Sequence, residues 1–116
     1  MGLDAHVNRR GVHEDSAELR DSLIDKHLGN IAHVGFLRQR VNGLHNSALC
    51  FPIILQRVLY SGSHCGDEIG LLEIPTLMQE LELLAKLDNC EEVKCFVVDM
   101  NELCKASIDT CNPIIF

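Results

Sequence analysis

The sequence predicts a mainly helical fold of four to five packed helices, with short strands at the two chain ends that pair with one another; with the strands counted, the class is α+β. Three observations carry this. Val93, Phe96, Val97, Met100, Leu103, Cys104, Ser107 and Ile108 recur at three-four spacing over about four helical turns. Leu77, Leu81 and Leu84, with Met78 and Ala85, form a second apolar stripe behind Pro75 and Thr76, while Glu80, Glu82 and Lys86 lie off it. Leu3, Ala5 and Val7 alternate with Asp4 and His6, the period of a half-buried strand.

The remaining elements follow in order. Asn8 to Ser16 is polar and holds Gly11, and Asp15 stands three residues before Glu18 in a capping-box arrangement, so a helix is expected from about Ser16 to Lys26. From Leu28 to Val41 the residues Leu28, Ile31, Ala32, Gly35 and Phe36 share a helical face that Val34, Leu37 and Val41 widen, implying a helix contacted on more than one side. Asn42, Gly43, Asn46 and Ser47 are turn formers. In the apolar run that ends at Tyr60, β-branched Ile53, Ile54 and Val58 favour a strand. Pro52 at a first helical position and the adjacent Gln56 and Arg57 favour a short buried helix, which is the reading adopted. Ser61 to Asp67 (SGSHCGD) is a glycine-punctuated loop. Asn112 and Pro113 end the last helix, and Ile114 to Phe116 are expected to form a strand beside the N-terminal one, clamping the chain ends together.

Composition bounds the class. A chain of 116 residues, 47% apolar and 23% charged, is one domain that buries roughly two thirds of its unfolded surface. With four Phe, one Tyr and no Trp it lacks stacking platforms, and a net charge of -7 opposes a phosphate-tracking surface. Nucleic acid is therefore not an expected partner; a protein with a basic surface is. The N-terminus MGLDAHVNRR has no long apolar run, so the six cysteines read as reduced thiols in a cytoplasmic protein. The densest apolar stretch, Ala48 to Tyr60, contains Gln56 and Arg57, so no membrane span is expected.

Chemistry concentrates at one place. Tyr60, Ser61, Ser63, His64 and Asp67 form a candidate ligand-binding loop, in which glycines permit close approach while hydroxyls and an imidazole supply donors and acceptors. The competing reading is a hydrogen-bonded turn whose Ser and Asp side chains cap backbone groups. A metal reading would add Cys65, Asp4 or His6 to His64 and Asp67, but no CxxC, HExxH or HxH spacing supports it, and no cofactor is expected. A nucleophile reading would use Cys65 or Ser63. The string Gly62 to Gly66 has His64 at the centre where a nucleophile elbow has Ser, and a helix instead of a strand leads into it. His6, His13, His27, His33 and His45 are scattered, with His27 and His33 on nearly opposite sides of one helix. Cys90, Cys95, Cys104 and Cys111 read as small core residues, and Glu80, Glu82, Glu91, Glu92, Asp99, Glu102 and Asp109 as solvated helix faces in excess over Lys86, Lys94 and Lys105.

The opening Met1 to Asp4, the loop Tyr60 to Asp67 and the ending Asn112 to Phe116 together resemble a family of small uncharacterised bacterial proteins. The resemblance implies a bacterial cytosolic setting and transfers no catalytic residue. The small, acidic chain is also similar to immunity proteins of polymorphic toxin systems, which implies inhibition of one cognate toxin. No complete catalytic or cofactor motif is present, so the leading expectation is a protein-binding domain of immunity type. The alternative is an enzyme or a small-ligand or metal-binding protein centred on Ser61 to Asp67. A third expectation is a homodimer in which the wide apolar face of Leu28 to Val41 packs against a second copy.

Overall fold

A computed structural model of the chain describes residues 2–8, 22–44, 47–59 and 67–116. Strand β1 (Gly2–Asn8) is followed by β2 (Ser22–Asn30), which runs directly into helix α1 (Ile31–Asn42). A short helix α2 (Ser47–Cys50) and a π-helical segment (Ile54–Val58) lead to β3 (Glu68–Ile69). Helices α3 (Ile74–Leu87) and α4 (Glu91–Thr110) form an antiparallel pair, and β4 (Ile114–Ile115) closes the chain. The strands make one sheet in the order β2-β1-β4-β3, with every neighbouring pair antiparallel. Helices α1 and α4 pack on β1 and β2, and α3 packs on α4.

This corrects the mainly helical expectation: the fold is α+β, with four α-helices and a four-stranded antiparallel sheet among the described residues. The expected helix from about Ser16 to Lys26 lies partly outside the described residues, and its remainder, from Ser22, is strand β2. The physical reason is Lys26. Ile24 and Leu28 turn toward the helices, and Lys26 between them does the same, opposite Ala5 of β1. Its ammonium reaches α4, where it pairs with Glu102 and lies 3.6 Å from Asp99. A cation on the core-facing side hides the strand's alternation, because its solvation is supplied by partners distant in sequence.

Helix α1 begins at Ile31, where the Asn30 side chain accepts a hydrogen bond from the His33 N–H at 2.9 Å. Leu28 therefore belongs to the strand. The core-facing residues are Val34, Leu37 and Val41, whereas Ile31, Ala32 and Phe36, expected to be covered, are exposed, Ile31 at 71%. The strand-to-helix joint needs Gly29, which sits at φ +131° and where a Cβ would collide with the His33 imidazole.

The two C-terminal helices match their stripes. Leu77, Leu81 and Leu84 of α3 are buried, as are Val93, Phe96, Val97, Met100, Leu103, Cys104 and Ser107 of α4, with Ile108 exposed. Burial pushes the Cys104 thiol up to about 12, so it is an inert core group. Cys111 takes the left-handed conformation at φ 57° and stops α4. The Ser107 hydroxyl then donates to the Asn112 carbonyl, and Asn112 Nδ2 donates to the Asn8 carbonyl at 2.7 Å. Those bonds hold Ile114 and Ile115 between β1 and β3, so the chain ends meet as the apolar terminus requires.

Removal of Ile114 to Phe116 deletes the link between β1 and β3 and exposes the site of fully buried Ile114, whose burial alone is worth about 1.5 to 3 kcal/mol. A melting temperature lower by roughly 10 °C or more is expected in thermal unfolding. An unchanged value would show that β4 does not hold the sheet together.

Candidate functional site

Tyr60, Ser61, Ser63, His64 and Cys65 of the candidate loop lie outside the described residues, but the footings on which the loop stands are described. On the N-terminal side, the π-helical segment ends in buried Val58 and Leu59. On the C-terminal side, Asp67 is exposed and its carbonyl accepts the Phe116 N–H at 2.8 Å. Arg57 ties the two sides together: Nη1 donates to Glu73 Oε2 at 2.6 Å and Nη2 to the Glu68 carbonyl at 2.6 Å. The described residues on either side of positions 60–66 are thus bonded to α3, β3 and the C-terminal residue.

The π-helical segment is itself held by a carboxylate read from sequence as solvated. Glu80 is only 4% exposed, and its Oε1 accepts the Ile53 and Ile54 N–H groups, each at 3.0 Å. Two amides at the start of a helical turn have no intrahelical partner, and a carboxylate from α3 supplies it. Burial pushes the Glu80 carboxyl above its ordinary value, with the two amide bonds opposing that rise. No local spacing signals this residue, since it reaches a backbone segment more than twenty positions earlier.

A second buried carboxylate organises the α3–α4 turn. Asp88, 4% exposed, accepts from Arg40 Nε at 3.1 Å and Nη2 at 2.6 Å, and from the Cys90 N–H at 3.0 Å. The Arg40 guanidinium holds its carboxyl below the usual range. Cys90 caps α4 and its thiol donates to Glu92 Oε2 at 2.8 Å, which lowers the Glu92 carboxyl. Of the cysteines read as core, Cys104 is buried, but Cys95 and Cys111 are exposed. Cys95 falls on the outward face of α4, with Glu91 and Val98, and Cys111 lies just past the helix end.

The expectation that His27 and His33 occupy opposite sides of one helix is also corrected. His27 lies on β2, where its Nδ1 is 2.7 Å from Asp4 Oδ1 across the strand pair, and His33 lies in the first turn of α1. Both border an open cavity of about 370 Å³ shared with Asn30, Cys95, Phe96 and Asp99. Among the described residues no group of three or more His, Cys, Asp or Glu side chains is placed to hold a metal ion. The metal reading of Asp4 and His6 with the loop thus gains no ligand set from the described part of the chain.

The charge is distributed unevenly. Residues 67–116 carry eleven Asp and Glu against three Lys, whereas residues 1–66 carry six against seven Lys and Arg. Glu91, Cys95, Val98, Glu102, Lys105 and Asp109 recur on one outward face of α4, on which Val98 is 55% exposed. Among the described residues Glu91 and Asp109 have no ion pair, whereas Glu102 is held by Lys26. An open groove of about 560 Å³ runs alongside, floored by Met78 and Val97 and edged by Lys86 and Lys105.

Glu80→Ala should leave the Ile53 and Ile54 amides without an acceptor and lower stability by about 2 to 4 kcal/mol, whereas Glu80→Gln keeps an acceptor oxygen and should lose less. The pH dependence separates them further. The folded value of Glu80 is raised, so the folded state binds the extra proton, and stability falls as pH climbs from the ordinary carboxylate range through the raised value. The stability of the wild type relative to Glu80→Gln should therefore decline over that window and then level off, as read from paired urea titrations between about pH 4 and pH 8. A difference that does not change with pH would show that Glu80 is not desolvated.

No family model matches this sequence and no curated protein or solved structure matches it, so the functional reading rests on the arrangement of the chain's own residues.

Proposed function

We propose that this protein is a binding domain that docks a protein partner of basic surface on the outward face of α4. The observation that carries the proposal is the mixture on that face: Glu91, Glu102 and Asp109, with Lys105 between the last two, share it with a valine, Val98, that is 55% exposed and has Glu102 one turn away. Acidic residues alone serve solubility. An apolar residue set among them offers desolvated contact, while the surrounding charge steers a basic partner and sets its orientation. The absence of an ion pair at Glu91 and Asp109 among the described residues leaves those two charges for a ligand. Inhibition of a basic toxin, the immunity-type role, is one use to which such a face is suited.

The test is capture from the host lysate with two baits, the wild type and a double variant, Glu91→Lys with Asp109→Lys. The variant should fold, because both positions are exposed and the effects on the helix dipole offset, Asp109→Lys being favourable at the C-terminal end and Glu91→Lys unfavourable at the N-terminal end. A basic protein retained by the wild type, released at about 0.5 M salt and recovered roughly tenfold less with the variant is the expected result. No reproducible partner, or one held equally by both baits, would overturn the proposal.

A further inference from the structure

We infer that the edge of β2 on which no described strand lies, with the side of α1 turned away from α4, is an interaction surface for a second copy of this chain, added strand to strand about a two-fold axis normal to the sheet. Strand β2 is the outermost of the order β2-β1-β4-β3 and the longest of the four at nine residues; among the described residues its only strand partner is β1. A strand with one bonded neighbour presents a row of backbone donors and acceptors on its other side, which another strand satisfies.

The segment Ile24-Asp25-Lys26-His27-Leu28 is complementary to itself when reversed. In an antiparallel pair centred on Lys26, Ile24 of one copy stands opposite Leu28 of the other on the helix-covered face, and Asp25 stands opposite His27 on the outer face. Within one chain the same kind of pair already forms across strands, between Asp4 and His27 at 2.7 Å. The two copies of Lys26 would meet at the centre. Each ammonium is drawn toward Glu102 and Asp99 of its own α4, so the central contact is not between two bare cations.

Helix α1 supplies the second layer of the contact. His33 borders the cavity shared with α4, and Arg40 bonds Asp88, so that side of α1 faces α4. At 100° per residue, Ile31, Gly35 and Arg38 lie on the side of α1 turned away from α4. Ile31 is 71% exposed, and a Cβ at Gly35 would meet nothing within 4 Å, so beside Arg38 the flank offers an apolar side chain and room for close approach. A two-fold axis normal to the sheet keeps the helices of both copies on one face and brings these flanks together.

The test is sedimentation equilibrium of the full chain over micromolar to millimolar concentration, with hydrogen exchange of the β2 amides at both extremes. A monomer–dimer equilibrium is expected, with protection of Ile24 to Leu28 that rises with concentration. Asp25→Lys and Ile31→Glu alter exposed positions and should each weaken dimerisation roughly tenfold or more without lowering the melting temperature. A monomer at every concentration would overturn the inference. So would a dimer in which β2 gains no protection, a measurement on the wild type that stands even if a variant fails to fold.

Discussion

Strand β4 is only two residues long, yet the sheet depends on it. It lies between β1 and β3, and among the described residues β4 is the strand to which β3, also two residues, is bonded. Its position is set upstream, where α4 stops at left-handed Cys111 and the Ser107 hydroxyl and Asn112 amide fix the path of the returning chain. Local turn chemistry at the end of one helix thus decides whether the first and last segments of the chain share a sheet. The Phe116 N–H extends the effect to Asp67, and so to the base of the Tyr60–Gly66 loop.

Four of the eleven carboxylates of residues 67–116 meet cations from the first part of the chain. Arg40 meets Asp88, Arg57 meets Glu73, and Lys26 meets Glu102 and Asp99. In every case the cation comes from the first 66 residues and the carboxylate from the last 50. The most exposed of these, Arg57 with Glu73, contributes little stability individually, whereas Asp88 is buried and doubly bonded by Arg40. The common direction of the pairs orients the two parts of the chain against each other. Glu91 and Asp109, without an ion pair among the described residues, stand on the outward face of α4.

The two buried carboxylates respond to pH in opposite senses. Asp88 is held low by a guanidinium, so its contribution is present above the ordinary carboxylate range and is lost on acidification through its lowered value. Glu80 is held high by burial and acts against stability once ionised. One closes the α3–α4 turn and the other anchors the segment before the loop, so acidification weakens the first of these joints and relieves the second.

The sequence by itself determined the elements whose signals are local. The α3 and α4 stripes, the period-two β1, the helical turn that Pro52 opens and the end of α4 just before Asn112 and Pro113 all carry signals within a few residues, although Glu80 also holds that helical turn from α3. A terminus of Ile, Ile and Phe, costly to leave in water, was sufficient to place β4 beside β1. Tertiary structure alone decided the rest. Strand β2 carries a core-facing lysine whose partners lie more than seventy residues away, so its alternation is not legible. Helix α1 has enough apolar residues for several faces, and only the sheet beneath it selects Val34, Leu37 and Val41. The buried roles of Glu80 and Asp88, and the meeting of His27 and His33 at one cavity, depend on approaches between distant segments, and periodicity carries no information about those.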